Sequence, residues 1–184
     1  MEIPLKSLVV LHTARYLFDN FGFCNVGVDR ICKEANISKM SFYKYYNSKE
    51  KLIESCLFFN CESLKNEVST LIESYSSSTF LKVLEKIFFL HVNLDSNYHL
   101  IFKAIFEIRI LYPEAFKVVM VYRSWLINLI IKFLSGIIDS SPIEAANLLL
   151  YIIDGAIIQL LESNNFSDLE LLWNIFSNNY CISI

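Results

Sequence analysis

Residues 28–46, VDRICKEANISKMSFYKYY, hold two short amphipathic segments separated by a tight turn at Glu34–Ile37. Apolar side chains recur on both sides of this turn at spacings of three and four, which is the period of a helix face. Asn36 lies in the turn, where its side chain tolerates left-handed backbone, and Ser38 can cap the second segment. The stretch therefore predicts a helix-turn-helix, in which two short helices pack against each other.

A longer helix is predicted before this pair and a fourth helix after it. Leu5–Phe21 carries apolar residues at helical spacing along one face, and Gly22 is a typical C-terminal stop. Asn47, with Glu50 three residues later, resembles a capping box and predicts that the fourth helix starts there. The sequence thus predicts a three-helix headpiece over residues 1–47.

The rest of the chain, residues 48–184, is predicted to be helical almost throughout. Hydrophobic residues make up 54% of the chain and charged residues 19%, with only 4 Gly and 3 Pro, a composition that favours long buried helices. Pro113 and Pro142 fit first-turn positions of helices, and the Ser-rich stretch 74–79 predicts a break. The further helices are predicted at about 80–94, 98–111, 113–138, 142–163 and 167–179. The predicted fold class is all-α.

The sequence argues against a membrane protein, a secreted protein and a metal site. The longest uncharged run, residues 171–184, is 14 residues long, whereas a membrane span needs roughly 18. No secretory signal pattern opens the sequence, so a cytoplasmic location is expected. The odd number of cysteines, without a C-x-x-C pair, predicts buried reduced thiols and neither metal nor cofactor, with a redox switch as the alternative. The cysteines are Cys24, Cys32, Cys56, Cys61 and Cys181.

Charge is divided unevenly along the chain. The net charge of −3 argues by itself against nucleic-acid binding. However, residues 1–54 carry eight Lys/Arg and six Asp/Glu, whereas residues 55–184 carry eight and thirteen. Between Asn36 and Lys49 there are three lysines and no acidic residue. This distribution fits a small phosphate-facing headpiece on an acidic body.

The second helix of a helix-turn-helix lies in the major groove, with its N-terminal residues toward the base edges. Here that helix offers lysines, tyrosines, a serine and a methionine, which bind phosphate oxygens, base edges or the thymine methyl group. Lys49, at the start of the fourth helix, would add its charge to backbone N–H groups aimed at a phosphate. The alternative is a helix pair without any nucleic-acid role, since such pairs are common in all-α proteins.

The motifs between Ala14 and Leu57 resemble, in order and spacing, the N-terminal region of the TetR family of transcriptional regulators. That family shows Phe-x-x-x-Gly, Ile-Ala, Ala-Gly-Val-Ser, Leu-Tyr-x-Tyr-Phe and Ser-Lys-Glu-x-Leu. The corresponding residues are Phe18 and Gly22, Ile31-Cys32, Ala35-Asn36-Ile37-Ser38, Phe42-Tyr43-Lys44-Tyr45-Tyr46 and Ser48-Lys49-Glu50-Lys51-Leu52. The departures are Asn36 for the usual Gly, Val26-Gly27 where Thr or Ser caps the second helix, and Met40 for a small residue.

The resemblance implies a DNA-binding domain over residues 1–47 and a helical ligand-binding and dimerisation domain over residues 48–184. The second helix of the motif would contact bases and phosphates. The first residues of the helix before it and of the helix after it would lie close to the DNA backbone. Phe42 and Tyr46 are assigned to the headpiece core instead. The implied DNA-binding residues are Val28, Asp29, Lys39, Met40, Ser41, Tyr43, Lys44, Tyr45 and Lys49.

The resemblance also implies that two apolar C-terminal helices pair with those of a second copy. A reader of palindromic DNA needs two-fold symmetry, and Gly155 would allow close approach of helices. The alternative for the same residues is the intramolecular core. The predicted interface residues are Leu149, Ile152, Ile153, Ala156, Leu160, Leu172, Trp173 and Phe176.

A small-molecule pocket is implied on the middle helices. Their aromatic content favours a hydrophobic effector, and His91 and Arg109 are polar groups within apolar segments. Plain core packing is the alternative for the aromatic residues, and an ion pair is the alternative for Arg109. The candidate ligand-binding residues are Phe88, His91, Phe102, Phe106, Arg109, Tyr122 and Trp125.

The predicted function is a ligand-responsive, DNA-binding transcriptional regulator, a repressor that binds a palindromic operator as a homodimer. Its expected partners are double-stranded DNA, a second copy of the chain and a small hydrophobic effector, without a membrane. The alternative is a helical protein-interaction module that does not bind DNA. An enzyme is not expected, because the sequence shows no nucleophile–base pair, metal-ligand spacing or Gly-rich phosphate loop.

Overall fold

The computed structural model describes residues 4–74, 80–136, 138, 141–163 and 166–180, and the regular structure in these ranges is helical. The predicted all-α class is therefore confirmed. The helices are α1 Leu5–Phe21, α2 Val28–Glu34, α3 Lys39–Tyr46, α4 Lys49–Glu73, α5 Phe80–Val92, α6 Tyr98–Glu107, α7 Pro113–Leu134, α8 Pro142–Ser163 and α9 Ser167–Tyr180.

Local signals in the sequence account for most helix ends. Gly22 ends α1 with a φ of 79°, a value that glycine adopts without steric cost. Pro113 and Pro142 are the first residues of α7 and α8, as predicted. The predicted ends of α5, α6 and α7 were two to four residues too late. Residues 75–79, in the predicted Ser-rich break, and Cys181 lie outside the described residues.

The start of α4 differs from the predicted capping box. Asn47 adopts a φ of 59° and ends α3, while the Ser48 hydroxyl accepts the hydrogen bond from the Lys51 backbone N–H at 3.1 Å. The Glu50 carboxylate accepts the backbone N–H of Glu114, at the start of α7, at 3.0 Å. Ser48 is therefore the cap, and Asn47 makes the turn between α3 and α4.

The chain divides into two compact units, and the division differs from the predicted boundary between residues 47 and 48. Unit 1 comprises Met1–Ser63 and Leu100–Val121, and unit 2 comprises Leu64–His99 and Tyr122–Ile184. The predicted boundary separates functional parts and stays a prediction. The structural units show that α1–α3 pack with the first half of α4 and with residues from α6 and α7.

The core of unit 1 joins the first three helices. Phe18 and Phe23 are fully buried with their ring centroids 5.0 Å apart, and Phe42 of α3 is fully buried as well. Truncation of such a phenylalanine to alanine costs about 3–5 kcal/mol of stability. The predicted core assignment of Phe42 and Tyr46 is confirmed, since both are buried.

The core of unit 2 is built around α8. Eight residues of α8 are buried, and Trp173 of α9 packs against Phe88 of α5 with centroids 5.7 Å apart. Among the described residues, α8 is the one helix long and apolar enough to cross a membrane by length and composition. Core helices of soluble proteins have the same properties, so this is weak evidence for a membrane span.

Three of the four described cysteines are buried free thiols, namely Cys32, Cys56 and Cys61. Burial raises the pKa of Cys56 far above its usual value, so this side chain stays protonated. Cys24 is exposed, contrary to the expectation of buried thiols. It follows Phe23 in the turn after α1, where the chain faces solvent.

Candidate nucleic-acid interface

Helix α3 is held against α1 by its buried face. The Tyr46 hydroxyl donates to the Ser7 backbone carbonyl at 2.8 Å and accepts from the Ser7 hydroxyl at 3.0 Å. Both groups are buried, and burial raises the pKa of Tyr46. Together with Phe42, these bonds fix which side of α3 faces the core, and therefore which side faces solvent.

Both ends of α3 are fixed by local hydrogen bonds and by asparagine. The Ser38 hydroxyl accepts the Ser41 backbone N–H at 3.1 Å, and the two hydroxyls lie 3.0 Å apart. Asn36 and Asn47 occupy positive φ values of 51° and 59° before and after the helix. Asparagine tolerates this region better than most residues, which explains why Asn36 replaces glycine without loss of the turn.

The nine residues predicted to contact DNA lie on the surface of unit 1, and none of them is buried. Met40 is 82% exposed and Tyr43 48% exposed, and the Lys39 and Lys44 side chains face solvent beside them. Two exposed lysines beside an exposed methionine would be unusual on a helix that is buried on all sides. The exposed face of α3 therefore has the composition of a surface that contacts phosphates and base edges.

An ion pair links α2 to the first residue of α3. The Lys39 ammonium lies 2.6 Å from the Asp29 carboxylate, and both side chains are exposed. The hydrogen bond that the ammonium donates to Asp29 raises the pKa of Lys39. Asp29 was predicted to lie near the DNA backbone, where its charge would repel phosphate. Its observed contact is with the lysine at the start of α3, and its position near the DNA backbone stays a prediction.

Lys49 begins α4, as predicted, but its ammonium lies over the ring of Tyr112, 5.2 Å from the centroid. Cation–π contacts at exposed sites are weak, so this contact does not prevent the ammonium from turning to a phosphate. Tyr112 immediately precedes α7. The first turn of α4 is thus a basic helix start beside α3, which is a suitable position for a phosphate contact.

The end of α1 is held by two residues of unit 1 that sequence reasoning missed. The Glu107 carboxylate accepts the backbone N–H groups of Phe23 at 2.6 Å and Cys24 at 3.4 Å. Lys103 donates to the backbone carbonyl of Asp19. A Cβ at Gly22 would lie 2.8 Å from the Glu107 carboxylate oxygens, so a side chain there would displace this carboxylate, besides being strained at the positive φ. The sequence gives no signal for contacts between residues 84 positions apart.

The candidate ligand-binding residues fall in both units. Phe88, His91, Tyr122 and Trp125 belong to unit 2, whereas Phe102, Phe106 and Arg109 belong to unit 1. Within unit 1, Phe102 is buried, Phe106 is 66% exposed, and Arg109 is exposed beyond the end of α6. Arg109 is therefore not a polar group inside an apolar helix, because α6 ends at Glu107.

His91 is a fully buried polar group in unit 2, as its position in an apolar helix indicated. Its Nδ1 lies 2.7 Å from the Ile87 carbonyl, which can only accept, so Nδ1 carries the proton. Its Nε2 then accepts from the Tyr122 hydroxyl at 2.8 Å. Burial lowers the pKa of His91 to about 4, and the imidazole is neutral at physiological pH.

A second polar group in unit 2 was missed by sequence reasoning. Arg123 donates to both carboxylate oxygens of Asp154, at 2.9 and 2.6 Å, and to the Tyr98 hydroxyl at 2.7 Å. The Tyr98 ring packs edge-on against His91, 4.8 Å between centroids. A signal was available, because Arg123 and Asp154 are charged residues inside the very apolar helices α7 and α8. Such charges are buried only when paired.

Six of the eight predicted dimer-interface residues are buried within unit 2 itself. Leu149, Ile153, Ala156, Leu160, Trp173 and Phe176 are each at most 5% exposed. They form the intramolecular core, which corrects their assignment to a subunit contact. The opposite faces of α8 and α9 carry exposed apolar side chains. These are Ile143, Leu148, Tyr151, Ile158, Leu161, Leu171 and Ile175.

Comparison with known proteins gives a family match over part of the chain and a fold. Residues 10–56 match the sequence model of the family described as bacterial regulatory proteins, tetR family. No curated protein sequence matches the chain. The solved structure of Escherichia coli NemR in its reduced form is similar, with 19% identity, a TM-score of 0.82, and 97% of this chain and 99% of that chain covered.

Two further solved structures are described as TetR-family transcriptional regulators. The one from Cytophaga hutchinsonii has 12% identity, a TM-score of 0.83 and complete coverage of both chains. The one from Agrobacterium tumefaciens has 14% identity, a TM-score of 0.83, and covers 96% of this chain and 97% of that chain. At these identities the structural likeness establishes the fold alone.

Proposed function

We propose that this chain, whose residues 10–56 match the model of the tetR family of bacterial regulatory proteins, belongs to that family and represses transcription as an operator-bound homodimer. The match over residues 10–56 and the similar fold support the role of a DNA-binding transcription regulator. The dimer, the palindromic operator, the repression and the release of DNA by a small hydrophobic effector are our proposals. We further propose a cytoplasmic location and a mechanism without a catalytic step.

The observation that carries the DNA-binding proposal is the exposed face of α3 on a helix whose other face and both ends are fixed. Lys39, Met40, Ser41 and Tyr43 would face base edges, and Lys44, Tyr45 and Lys49 would hold phosphates. A recognition helix fixed in this way meets DNA without first having to be ordered. That lowers the entropic cost of binding.

The proposed dimer interface lies on the exposed apolar faces of α8 and α9. Tyr151, Gly155 and Ile158 lie on one exposed side of α8, and no atom lies within 4 Å of a Cβ added to Gly155. Leu171 and Ile175 extend the apolar surface on α9. Two such helices from each subunit form a four-helix interface, and its two-fold symmetry matches a palindrome.

Electrophoretic mobility shift on the DNA upstream of the gene tests the central proposal. We expect a specific complex, and we expect the slope of log K against log salt to fall by about one for Lys44→Ala and for Lys49→Ala. Lys82→Ala, an exposed lysine of α5, is the matched control and should leave the slope unchanged. A protein that binds neither this DNA nor genomic fragments at low salt would instead be the protein-interaction module.

Sedimentation velocity tests the proposed interface. Ile158→Glu places a charge in the exposed apolar face of α8 and should convert the dimer to a monomer. Ser124→Glu adds the same charge at an exposed position of α7 and should leave the dimer intact. A parent chain that is monomeric at micromolar concentration, or an Ile158→Glu variant that stays dimeric, would contradict this interface.

A further inference from the structure

Unit 1 contains an open apolar groove that is separate from the exposed face of α3. The groove has a volume of about 530 Å³, within the range of sites that hold drug-sized molecules. Its walls come from α1, from the end of α3, from α4 and from α7. The lining residues are Ser7, Leu8, Leu11, Tyr46, Glu54, Ser55, Phe58, Phe59, Glu62 and Val118.

The lining chemistry is selective for charge. Glu54, Phe58 and Glu62 are spaced by four along α4, so they follow one another on a single face of the helix. An aromatic ring, 59% exposed, therefore stands between two carboxylates. The lining includes no lysine, arginine or histidine. An anion would meet two like charges here, whereas a cation would meet two carboxylates and the electron-rich face of a ring.

The neighbouring contacts agree with this preference. The Arg15 guanidinium lies over the Phe59 ring, 4.4 Å from its centroid, so one aromatic ring of the lining already contacts a cation of the protein itself. The Glu54 carboxylate is 2.6 Å from the Lys51 ammonium. This pair is exposed, and exposed pairs are exchanged for another cation at little cost. Leu8, Leu11 and Val118 supply the apolar wall that a small hydrated inorganic cation would not use.

We propose that this groove binds an amphipathic organic cation, a molecule with an aromatic or aliphatic body and an ammonium-like or phosphonium-like charge. The occupant contacts Ser7 and Tyr46, whose mutual hydrogen bonds attach α3 to α1. Binding therefore changes how firmly the DNA-contacting helix is held. This last step rests on the proposed function, whereas the binding step does not.

Isothermal titration calorimetry on the full chain tests the binding step with two probes of matched size and opposite charge. Tetraphenylphosphonium should bind at least ten-fold more tightly than tetraphenylborate. The double variant Glu54→Gln/Glu62→Gln should lose about ten-fold in phosphonium affinity and the preference between the ions. Glu73 is an exposed acid on the same helix outside the groove. The Glu73→Gln variant should keep the phosphonium affinity and the preference between the ions. Phe58→Ala should weaken binding of both ions.

Equal affinity for the two ions, or phosphonium binding that the double variant leaves unchanged, would overturn the proposal. All the substituted side chains are at least partly exposed, and unchanged far-UV circular dichroism will show that each variant is folded. DNA binding is measured separately on the same samples. Phosphonium binding without DNA binding would refute the proposed function alone, and DNA binding without phosphonium binding would refute this inference alone.

Discussion

The two units place their polar side chains in opposite ways. In unit 1, the polar side chains of α3 other than the buried Tyr46 lie at its ends or on its surface, where Ser38, Asn36 and Asn47 shape the backbone. In unit 2, a group of polar side chains lies inside an apolar core, with Arg123 paired to Asp154. The arrangement in unit 1 leaves polar side chains available to a binding partner. The arrangement in unit 2 uses polar side chains to specify how the core packs. Substitutions in unit 2 should therefore cost stability, and those on the face of α3 should cost DNA affinity.

The largest expected effect is the loss of Asp154. Asp154→Ala leaves the Arg123 guanidinium and the Tyr98 hydroxyl without their carboxylate in a mostly buried position. Removing one partner of a buried pair costs about 3–5 kcal/mol, and urea unfolding should show a loss of that order. Glu162→Ala, exposed on the same helix, should change stability by less than about 0.5 kcal/mol. Equal losses in the two variants would mean that unit 2 does not depend on this pair.

The second largest expected effect is a pH dependence of stability that comes from His91 of unit 2. The pKa of His91 is lowered to about 4 by burial, while in the unfolded chain it is near 6.5. Between these values the unfolded state binds the extra proton, so stability falls as pH falls from about 6.5 to 4, by about 3 kcal/mol in total. Urea midpoints across this range should fall more steeply for the parent than for His91→Gln. Parallel pH profiles would show that His91 is solvated.

Two adjacent tyrosines of α3 allow a sharper comparison within unit 1. Tyr46→Phe removes both hydrogen bonds to Ser7 and should cost about 1–3 kcal/mol of stability, measured by thermal unfolding. Tyr45→Phe removes a hydroxyl that we assign to a phosphate, so it should reduce DNA affinity without lowering the unfolding temperature. If the two variants lose the same stability, Tyr45 belongs to the core as much as Tyr46 does.

The smallest effect on stability is expected at Asp29, where the effect on DNA binding should be clear. Asp29→Asn releases Lys39 from its exposed ion pair, so the unfolding midpoint should not move. Binding to DNA should become tighter, because the Lys39 ammonium is then available to the base edges. Glu34→Gln removes an equal charge from exposed α2 and is the control. An identical gain in DNA affinity in both variants would mean that the effect comes from net charge and not from the ion pair with Lys39.

Much of the headpiece could be predicted from sequence because its signals are local. Apolar spacing gave the helices, and Gly22, Asn36 and Ser38 marked their ends within one turn. The cap of α4 was misassigned by one residue, since Asn47 and Ser48 are both good caps and only the backbone angle at Asn47 distinguishes them. The face of α3 followed from the same periodicity, which is why none of its six predicted contact residues is buried.

The body was harder to predict for two physical reasons. Helix α8 is apolar on nearly every side, so periodicity does not distinguish the face that covers Trp173 and Phe88 from the face that carries Tyr151 and Ile158. Long-range contacts such as that of Glu107 with Phe23 depend on how distant segments meet. No pattern within a helix encodes them. The charged residues within α7 and α8 did carry a signal that was missed, because a charge in an apolar helix requires a partner.

The hydrogen bonds of Glu107 make two backbone amides into natural spectroscopic reporters. The N–H groups of Phe23 and Cys24 point at a carboxylate of α6. Such protons resonate at low field and exchange slowly with solvent only while the carboxylate stays in place. Two cross-peaks in a ¹⁵N-edited spectrum therefore report whether α6 still holds the end of α1. They can be followed during a titration with DNA or with a small molecule, without a label on the recognition surface.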